Sequence, residues 1–346
     1  MHTRKIGEFD VSAIGLGCMN CSAGYGKADD ETSARLLNQS IDDGYSFLDT
    51  ATLYGDGHNE SLIGDNLNHR RSEYLLASKC GLVKLPDGRR VPNGRPEILK
   101  QQCDESLKRL KTDVIDLYYL HRMDTEVPIE ESVGALADCL HQGKIRSIGL
   151  SEIATETLKR AYAEFPITAV QSEYSLWSRT PEFGILKACE ELGVSFVPFS
   201  PLARGFLTGK SQDVTHLTDD DLRCSIARPR FEVDNFAENV KLLQPYARIA
   251  KKLDCNMAQL ALAWLLAQKN SVGEKTLVPI PGTKHITYMQ ENIQATEIEL
   301  DAATVIELDE LINDNTIKGN RYTDQLMTLS DSEKDRETHK LENQDG

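Results

Sequence analysis

The sequence predicts a (β/α)8 barrel, the TIM-barrel architecture. Short apolar runs rich in β-forming residues alternate with longer segments in which apolar residues recur at i, i+3 and i+4, as in amphipathic helices. Strand–helix alternation implies a parallel sheet, and eight such units close naturally into a barrel. The eight predicted strands are residues 12–19, 45–50, 74–80, 114–121, 145–151, 167–174, 194–200 and 276–282.

An open, doubly wound sheet is the alternative fold. That architecture normally has the pattern G-x-G-x-x-G directly after its first strand. Here the first strand contains Gly15 and Gly17, but Asn20 occupies the third glycine position. The incomplete motif therefore favours the closed barrel.

Residues that begin and end helices support the same alternation. Glycines directly follow three of the amphipathic segments, at the position where a helix commonly ends with a residue in the left-handed conformation. Pro128 and Pro181, each followed by an acidic residue, stand at predicted helix starts. The three glycines are Gly44, Gly143 and Gly193.

Three further segments complete the predicted organisation. Residues 4–12 are predicted to form an N-terminal β-hairpin that closes the barrel bottom, and residues 204–236 a long loop after strand seven. The tail beyond Leu329 has almost no apolar side chains, which is typical of disorder. We therefore expect one barrel domain over residues 1–329 and a disordered charged tail over residues 330–346.

Composition excludes several classes of function. The 346 residues carry 54 acidic and 39 basic side chains, a net charge of −15, which disfavours binding to nucleic acid or an anionic membrane. Neither a signal peptide nor an apolar run of about 18 residues is present, so a cytoplasmic protein is expected. Eight cysteines are then reduced thiols. Cys18 and Cys21 form a lone C-x-x-C without partners for a zinc site, so no metal is predicted.

Four ionisable residues are predicted at one end of the barrel. Asp49 ends strand two, and Tyr54 lies in the glycine-rich loop that follows. Lys79 ends strand three, and His121 ends strand four. Because active sites of such barrels lie at the C-terminal ends of the strands, these side chains are expected to meet.

The chemistry of these four types fits a general acid beside a carbonyl group. A tyrosine has a pKa near ~10, and a neighbouring lysine ammonium favours the phenolate and lowers that pKa. Asp49 is a suitable counter-charge for a buried Lys79. His121 is placed to orient a carbonyl oxygen. The set contains no nucleophile–base pair and no metal cage.

The motifs around these residues resemble those of the aldo-keto reductases. The most specific are FLDTATLYGDGHNESLIG at 47–64, LASKCG at 76–81, DLYYLHRMD at 116–124 and FSPLARGFLTGK at 199–210. The resemblance extends over residues 4–322 and is closest to a branch with bacterial and plant alkaloid-type reductases. It implies NADPH-dependent reduction of aldehydes and ketones, with Tyr54 as proton donor, Lys79 and Asp49 as its tuning pair, and His121 orienting the carbonyl.

The resemblance also implies a cofactor site across the barrel mouth. Ser151 and Gln171 would hold the nicotinamide carboxamide, and Phe199 would lie against the nicotinamide ring. The pyrophosphate would follow Ser200, Leu202, Gly205 and Lys210. The adenosine end would be held by Gly282, Thr283, Lys284, Glu291 and Asn292.

Two departures from the family pattern leave the cofactor preference open between NADPH and NADH. Glu152 follows Ser151 where many members have an asparagine that contacts the carboxamide. Tyr288 stands where many have an arginine for the 2′-phosphate, a role that Lys284 or Arg230 would have to take.

The resemblance also bears on the bond that is reduced and on the alternative function. His121 stands where members that reduce C=C bonds have a glutamate, so C=O reduction is expected. The alternative is a cofactor-binding regulatory module with little turnover, like the channel-associated β subunits. A small-molecule carbonyl substrate is the expected partner, while its identity and the oligomeric state are not encoded in a readable pattern.

Overall fold

The computed structural model of the protein describes residues 1–22, 24–210, 213–218, 221–274 and 276–342. Its centre is a seven-stranded parallel sheet in the order β11-β10-β9-β8-β5-β4-β3. These strands are β3 (Leu16–Gly17), β4 (Phe47–Asp49), β5 (Leu75–Cys80), β8 (Leu117–Leu120), β9 (Ile148–Ser151), β10 (Ala169–Glu173) and β11 (Ser195–Phe199).

The eighth predicted strand closes the sheet as an extended segment over residues 276–282. Val278 and Ile280 donate backbone hydrogen bonds to β11, at 3.3 and 3.0 Å. On the other side, the carbonyls of Pro279 and Pro281 accept from the amides of Gly15 and Gly17, at 2.9 and 3.2 Å. Proline has no amide to donate, so half of the ladder toward β3 is missing. The barrel is nevertheless closed, as the sequence predicted.

Two small antiparallel hairpins accompany the barrel. The predicted N-terminal hairpin consists of β1 (Thr3–Ile6) and β2 (Phe9–Ser12). Its Ile6 and Val11 pack into the barrel interior, so the hairpin closes one end of the core. The second hairpin, β6 (Leu82–Lys84) with β7 (Arg90–Pro92), follows β5 and was not predicted.

Helices surround the sheet and connect successive strands. The predicted C-terminal glycines Gly44, Gly143 and Gly193 all adopt positive φ, at 90°, 73° and 68°. Within the described chain, the helices are α1 (Asp30–Asp42), α2 (His58–Leu67), α3 (Pro96–Leu110), α4 (Ile129–His141), α5 (Thr155–Glu164), α6 (Ile185–Leu192), α7 (Arg228–Phe231), α8 (Val233–Val240), α9 (Leu243–Lys252), α10 (Met257–Ala267), α11 (Ile286–Gln294), α12 (Ala302–Leu311), α13 (Asp324–Leu329) and α14 (Glu333–Glu342). No helix of the described chain has both the length and the apolarity needed to cross a bilayer.

The predicted long segment after β11 contributes Phe206, Phe231 and Phe236 to an aromatic cluster around Trp177. Trp177 is fully buried and stacks on Phe206, with ring centroids 4.5 Å apart. Phe231 and Phe236 complete the cluster, stacked at 5.7 Å. The predicted 204–236 segment therefore contains α7 and the start of α8, which pack against the barrel.

The prediction of disorder beyond Leu329 is wrong for residues 330–342. Ser330, Asp331, Ser332, Glu333 and Asp335 are buried, and α14 packs against the turn at 180–183. The scarcity of apolar side chains was misleading, because hydrogen bonds and ion pairs rather than apolar burial hold the segment in place. Residues 343–346 of the predicted tail lie outside the described residues.

Candidate active site

The four predicted ionisable residues meet at the C-terminal end of the sheet. Asp49 is the last residue of β4, Lys79 lies in β5, and His121 directly follows β8. Tyr54 begins a short turn in which Gly55, Asp56 and Gly57 all have positive φ, at 59°, 53° and 91°. This left-handed run reverses the chain and returns the Tyr54 side chain toward Lys79.

Lys79 is the centre of the cluster. Its fully buried ammonium lies 2.5 Å from Asp49 Oδ1, 2.9 Å from the Thr50 carbonyl oxygen and 3.4 Å from the Tyr54 hydroxyl. A lysine without water needs such a counter-charge to remain protonated. Burial lowers the pKa of Lys79, but Asp49 and Tyr54 outweigh burial, and the pKa is raised overall. The ammonium is therefore a fixed positive charge beside the phenol.

The environment of Tyr54 differs from the sequence-based expectation in one respect. Burial raises the pKa of Tyr54, and this effect exceeds the opposing effect of Lys79. The expected lowering by Lys79 is present, but it does not bring the pKa below the ordinary value. Tyr54 consequently carries its proton at neutral pH, as a proton donor must.

His121 is a neutral imidazole next to Tyr54. Their rings meet edge to face with centroids 6.0 Å apart. Burial lowers the pKa of His121 well below its usual range, and Arg122 and Lys79 lower it further. Its Nδ1 is buried without a hydrogen-bond partner among the described residues. A neutral ring with a free nitrogen beside a phenol is suited to hydrogen bonding with a bound ligand.

The predicted carboxamide residues are joined to this cluster. Gln171 lies opposite Ser151 in the sheet, and its Nε2 donates to Asp49 Oδ2 at 2.8 Å. The Ser151 hydroxyl accepts from Arg122 Nη1 at 3.2 Å. Glu152 contributes nothing to an open site, because both its carboxylate oxygens accept hydrogen bonds within the protein.

The predicted pyrophosphate residues gather after β11. Phe199 ends this strand, and Ser200, Ala203, Arg204 and Gly205 all have positive φ, between 50° and 92°. Leu202 and Gly205 lie in the resulting turn. The ammonium of Lys210 lies 3.2 Å from the centre of the Tyr288 ring, which brings this segment to α11.

The predicted adenosine residues lie at the start of α11 and along it. Lys284 donates to the carbonyl oxygens of Tyr25 and Lys27, at 3.2 and 3.0 Å. Thr283 accepts from the His285 amide at 3.1 Å. Within α11, Glu291 accepts from Asn256 at 3.2 Å, and Asn292 is buried. Gly282 pairs with Gly17 at the barrel closure, close to the same edge.

Arg230 does not belong to this group. Its guanidinium is buried against the Trp177 ring and donates to the Ser178 hydroxyl at 2.8 Å. The expectation that Arg230 compensates for Tyr288 is therefore not supported, whereas Lys284 lies among the residues predicted for the adenosine end.

The donor set fits an anionic dinucleotide. Lys210 and Lys284 form no ion pair with a carboxylate in the part of the chain that the structure describes, although the protein carries a net charge of −15. Two lysines that pair with no carboxylate among the described residues, one of them at the end of a left-handed turn, are suited to binding phosphate. Among the described residues, no cluster of three or more His, Cys, Asp or Glu side chains is arranged to hold a metal ion.

Comparison with known proteins identifies the family. The sequence profile of the Aldo/keto reductase family matches residues 13–313. The chain belongs to the aldo/keto reductase family. The predicted family is confirmed, and membership supports an oxidoreductase that acts on carbonyl compounds.

Individual aldo/keto reductases are similar over most of the chain. "Aldo-keto reductase yakc [NADP(+)]" of Schizosaccharomyces pombe is 42% identical over 326 residues, which cover 92% of this chain and 94% of that protein. The solved glycerol dehydrogenase of Gluconobacter oxydans has a TM-score of 0.80 and 26% identity, covering 89% of this chain and 94% of that one. An aldo/keto reductase from Klebsiella pneumoniae, solved with NADP and acetate, has a TM-score of 0.70 and 26% identity, covering 93% and 98%.

Sequence reasoning missed the residues that surround Glu152. Arg321, Ser332 and Glu333 are buried beside it. The available signal was an acidic residue directly after a buried strand, which requires a buried cation as its partner. Nothing local in the sequence indicated that this partner comes from 169 residues further along the chain.

Proposed function

We propose that the protein reduces aldehydes and ketones to alcohols with NADPH, and that Tyr54 is the proton donor. The observation that carries this proposal is the position of the Lys79 ammonium, 2.5 Å from Asp49 and 3.4 Å from the Tyr54 hydroxyl. A buried cation at a phenol stabilises the phenolate that remains after proton donation. The cluster lies where barrel enzymes bind substrates.

Each residue of the cluster has a distinct role. Tyr54 gives its proton to the carbonyl oxygen, and Lys79 stabilises the negative charge that develops on Tyr54. Asp49, held by Gln171, keeps Lys79 charged and fixed. His121, as a neutral imidazole, donates a hydrogen bond that orients the carbonyl oxygen.

NADPH is the cofactor, and when bound it supplies the hydride. Two similar proteins support this choice, one named for NADP(+) and one solved with NADP. Ser151, Gln171 and Phe199 hold the nicotinamide end. The turn after β11 with Lys210 holds the pyrophosphate, and Lys284 with its neighbours in α11 holds the adenosine end.

The proposal is tested by turnover of purified protein with NADPH on a panel of aldehydes and ketones, in excess chelator. The panel includes an α,β-unsaturated ketone with product analysis, because His121 stands where members of the family that reduce C=C bonds have a glutamate. The allylic alcohol is the expected product. NADPH binding without turnover on the whole panel would favour a regulatory module, and a saturated ketone would show C=C reduction.

Lys284→Ala is expected to weaken NADPH binding about 10- to 100-fold and NADH binding much less. The reason is that a charge-assisted contact to the 2′-phosphate contributes ~1.5–3 kcal/mol. Dissociation constants from fluorescence titration measure this difference. Lys269→Ala, which removes an exposed lysine just after the C-terminal end of α10, is the control for net charge. Equal weakening of both cofactors would remove Lys284 from the phosphate site.

The pH profile of reduction is expected to be flat from about pH 6.5 to about pH 10, the ordinary pKa values of histidine and tyrosine. Proton donation requires that Tyr54 is protonated, so the rate of reduction falls as pH rises through the pKa of Tyr54. This pKa is raised above the ordinary value of tyrosine. The pKa of His121 is lowered, so it stays neutral over this range. Measured kcat/KM against pH tests this, with residual Tyr54→Phe activity as the control lacking the alkaline limb. A fall centred near pH 7 would assign donation to another group.

A further inference from the structure

The C-terminal residues 330–339, here called the clasp, cap the N-terminus of a helix whose own N-cap residue has no capping side chain. Helix α5 has Ala154 at its N-cap, with no side chain to accept its first amides. Instead, Asp331 Oδ2 accepts from the Ala154 amide at 2.8 Å, and Asp335 Oδ1 accepts from the Thr155 amide at 3.0 Å. Asp335 Oδ2 also accepts from the Thr155 hydroxyl at 2.8 Å. Carboxylates at a helix N-terminus satisfy free amides and complement the helix dipole, so the clasp stabilises the start of α5.

The clasp also holds Glu152, the residue directly after β9. Ser332 donates to Glu152 twice, from its hydroxyl to Oε2 at 2.8 Å and from its amide to the carbonyl oxygen at 3.2 Å. Glu152 has φ of 55°, a left-handed conformation that costs a non-glycine residue about 1–2 kcal/mol. These contacts stabilise a turn that the local chain alone disfavours.

The clasp also supplies one of the charges of a buried ionic cluster next to this turn. Arg321, only 3% exposed, donates to Glu152 Oε2 and to Glu333 Oε1, both at 2.6 Å. The buried cluster contains three arginines and three glutamates, and one of the glutamates comes from the clasp. Without it, a buried positive charge would lack compensation, which is strongly unfavourable. The members are Arg204, Arg230, Arg321, Glu152, Glu173 and Glu333.

The turn held by the clasp is bonded to the catalytic cluster. The Glu152 amide donates to the Gln171 carbonyl at 3.0 Å, and Gln171 Nε2 donates to Asp49. Ser151, the neighbour of Glu152, lies opposite Gln171 in the sheet. The clasp is therefore connected, through Glu152, to the two residues assigned above to the nicotinamide carboxamide.

We propose that the clasp is a positioning element for the nicotinamide end of the cofactor site. It holds the turn at Glu152 so that Ser151 and Gln171 keep the geometry needed to bind the carboxamide. Glu152 acts as an anchor for Arg321 and Ser332, not as a ligand of the cofactor. This proposal rests on the function proposed above, and none of its residues touches the reacting atoms.

Glu333→Gln and Ser332→Ala in the full-length chain test the clasp. Each is expected to weaken NADPH binding about tenfold, which corresponds to ~1.4 kcal/mol. Binding of 2′,5′-ADP, which has the adenosine end but no nicotinamide, is expected to stay unchanged. Glu337→Gln removes the same charge from an exposed position of α14 and is the matched control.

Amide hydrogen exchange of residues 152–157 in the free protein supplies a readout that does not depend on the cofactor. Faster exchange is expected in both clasp variants and not in the control. Ser332→Ala leaves every charge in place, so it keeps the test valid if Glu333→Gln fails to fold. Equal weakening of NADPH and 2′,5′-ADP would overturn the proposal, as would faster exchange with unchanged NADPH affinity, which marks a structural cap only. Wild-type protein that neither binds nor oxidises NADPH would instead refute the proposed function, while unchanged exchange in the variants would refute the clasp itself.

Discussion

Replacing Tyr54 by phenylalanine is expected to lower kcat by about 10²–10⁴-fold, equivalent to ~3–5 kcal/mol at the transition state. The substitution keeps the ring and its edge-to-face contact with His121, and it deletes only the hydroxyl that Lys79 approaches. Because the proposed role of the hydroxyl is to act on the reacting carbonyl, the dissociation constant for NADPH should be nearly unchanged. Single-turnover rates with a saturating aldehyde, together with cofactor titration, measure both quantities.

Tyr118→Phe is the matched control for this substitution. Tyr118 lies in β8, three residues before His121, and its buried hydroxyl bonds to Ser106 at 3.2 Å. Deleting that hydroxyl removes a buried hydrogen bond of similar size, so it should lower thermal stability without changing kcat. If Tyr54→Phe retained near wild-type turnover, Tyr54 would be a ring that covers a loop, and the proton would come from another group.

Three of the four clustered residues were predictable because each lies at the C-terminal end of a buried strand or directly after it. An ionisable residue at the end of an apolar run is placed by the parallel sheet at one edge of the barrel. Asp49, Lys79 and His121 come from strands that are neighbours in the sheet, so their proximity follows from the strand order. Tyr54 required a left-handed turn, for which Gly55 and Gly57 were the local signal.

The clasp was not predictable from composition. The tail has few apolar residues, and such segments ordinarily do not bury enough surface to fold. Here the segment is held in place by hydrogen bonds and ion pairs, since Asp331 and Asp335 accept from amides of α5 and Glu333 accepts from Arg321. Pairing between distant residues leaves no periodic pattern in the sequence, so a hydropathy argument misses it.

The balance of effects on Tyr54 was also beyond the sequence. Residue types alone showed that Lys79 would favour the phenolate, and this is correct. The sequence did not show how far the phenol is removed from water, and burial is the larger effect. In the proposed mechanism, Lys79 therefore offsets the cost of forming a phenolate in a buried site, rather than bringing the pKa of Tyr54 near neutrality.

This role leads to a second large effect, for Lys79→Met. Without the ammonium, burial and Asp49 raise the pKa of Tyr54 and only the smaller effect of Arg122 opposes them, so proton donation weakens. We expect kcat to fall by about 10²–10⁴-fold, as for Tyr54→Phe. Asp49→Asn should cost less, because Asp49 acts through Lys79.

A double-mutant cycle separates this mechanism from independent contributions. Tyr54→Phe and Lys79→Met act on the same proton, so the double variant should be little slower than the slower single variant. Thermal melting must accompany the kinetics, because Lys79→Met leaves Asp49 buried without its cation, which typically costs ~3–5 kcal/mol. Asp49→Asn combined with Lys79→Met removes both charges and is the folding control. If the two single losses instead multiplied in the double variant, Lys79 would act on the substrate or the cofactor rather than through Tyr54.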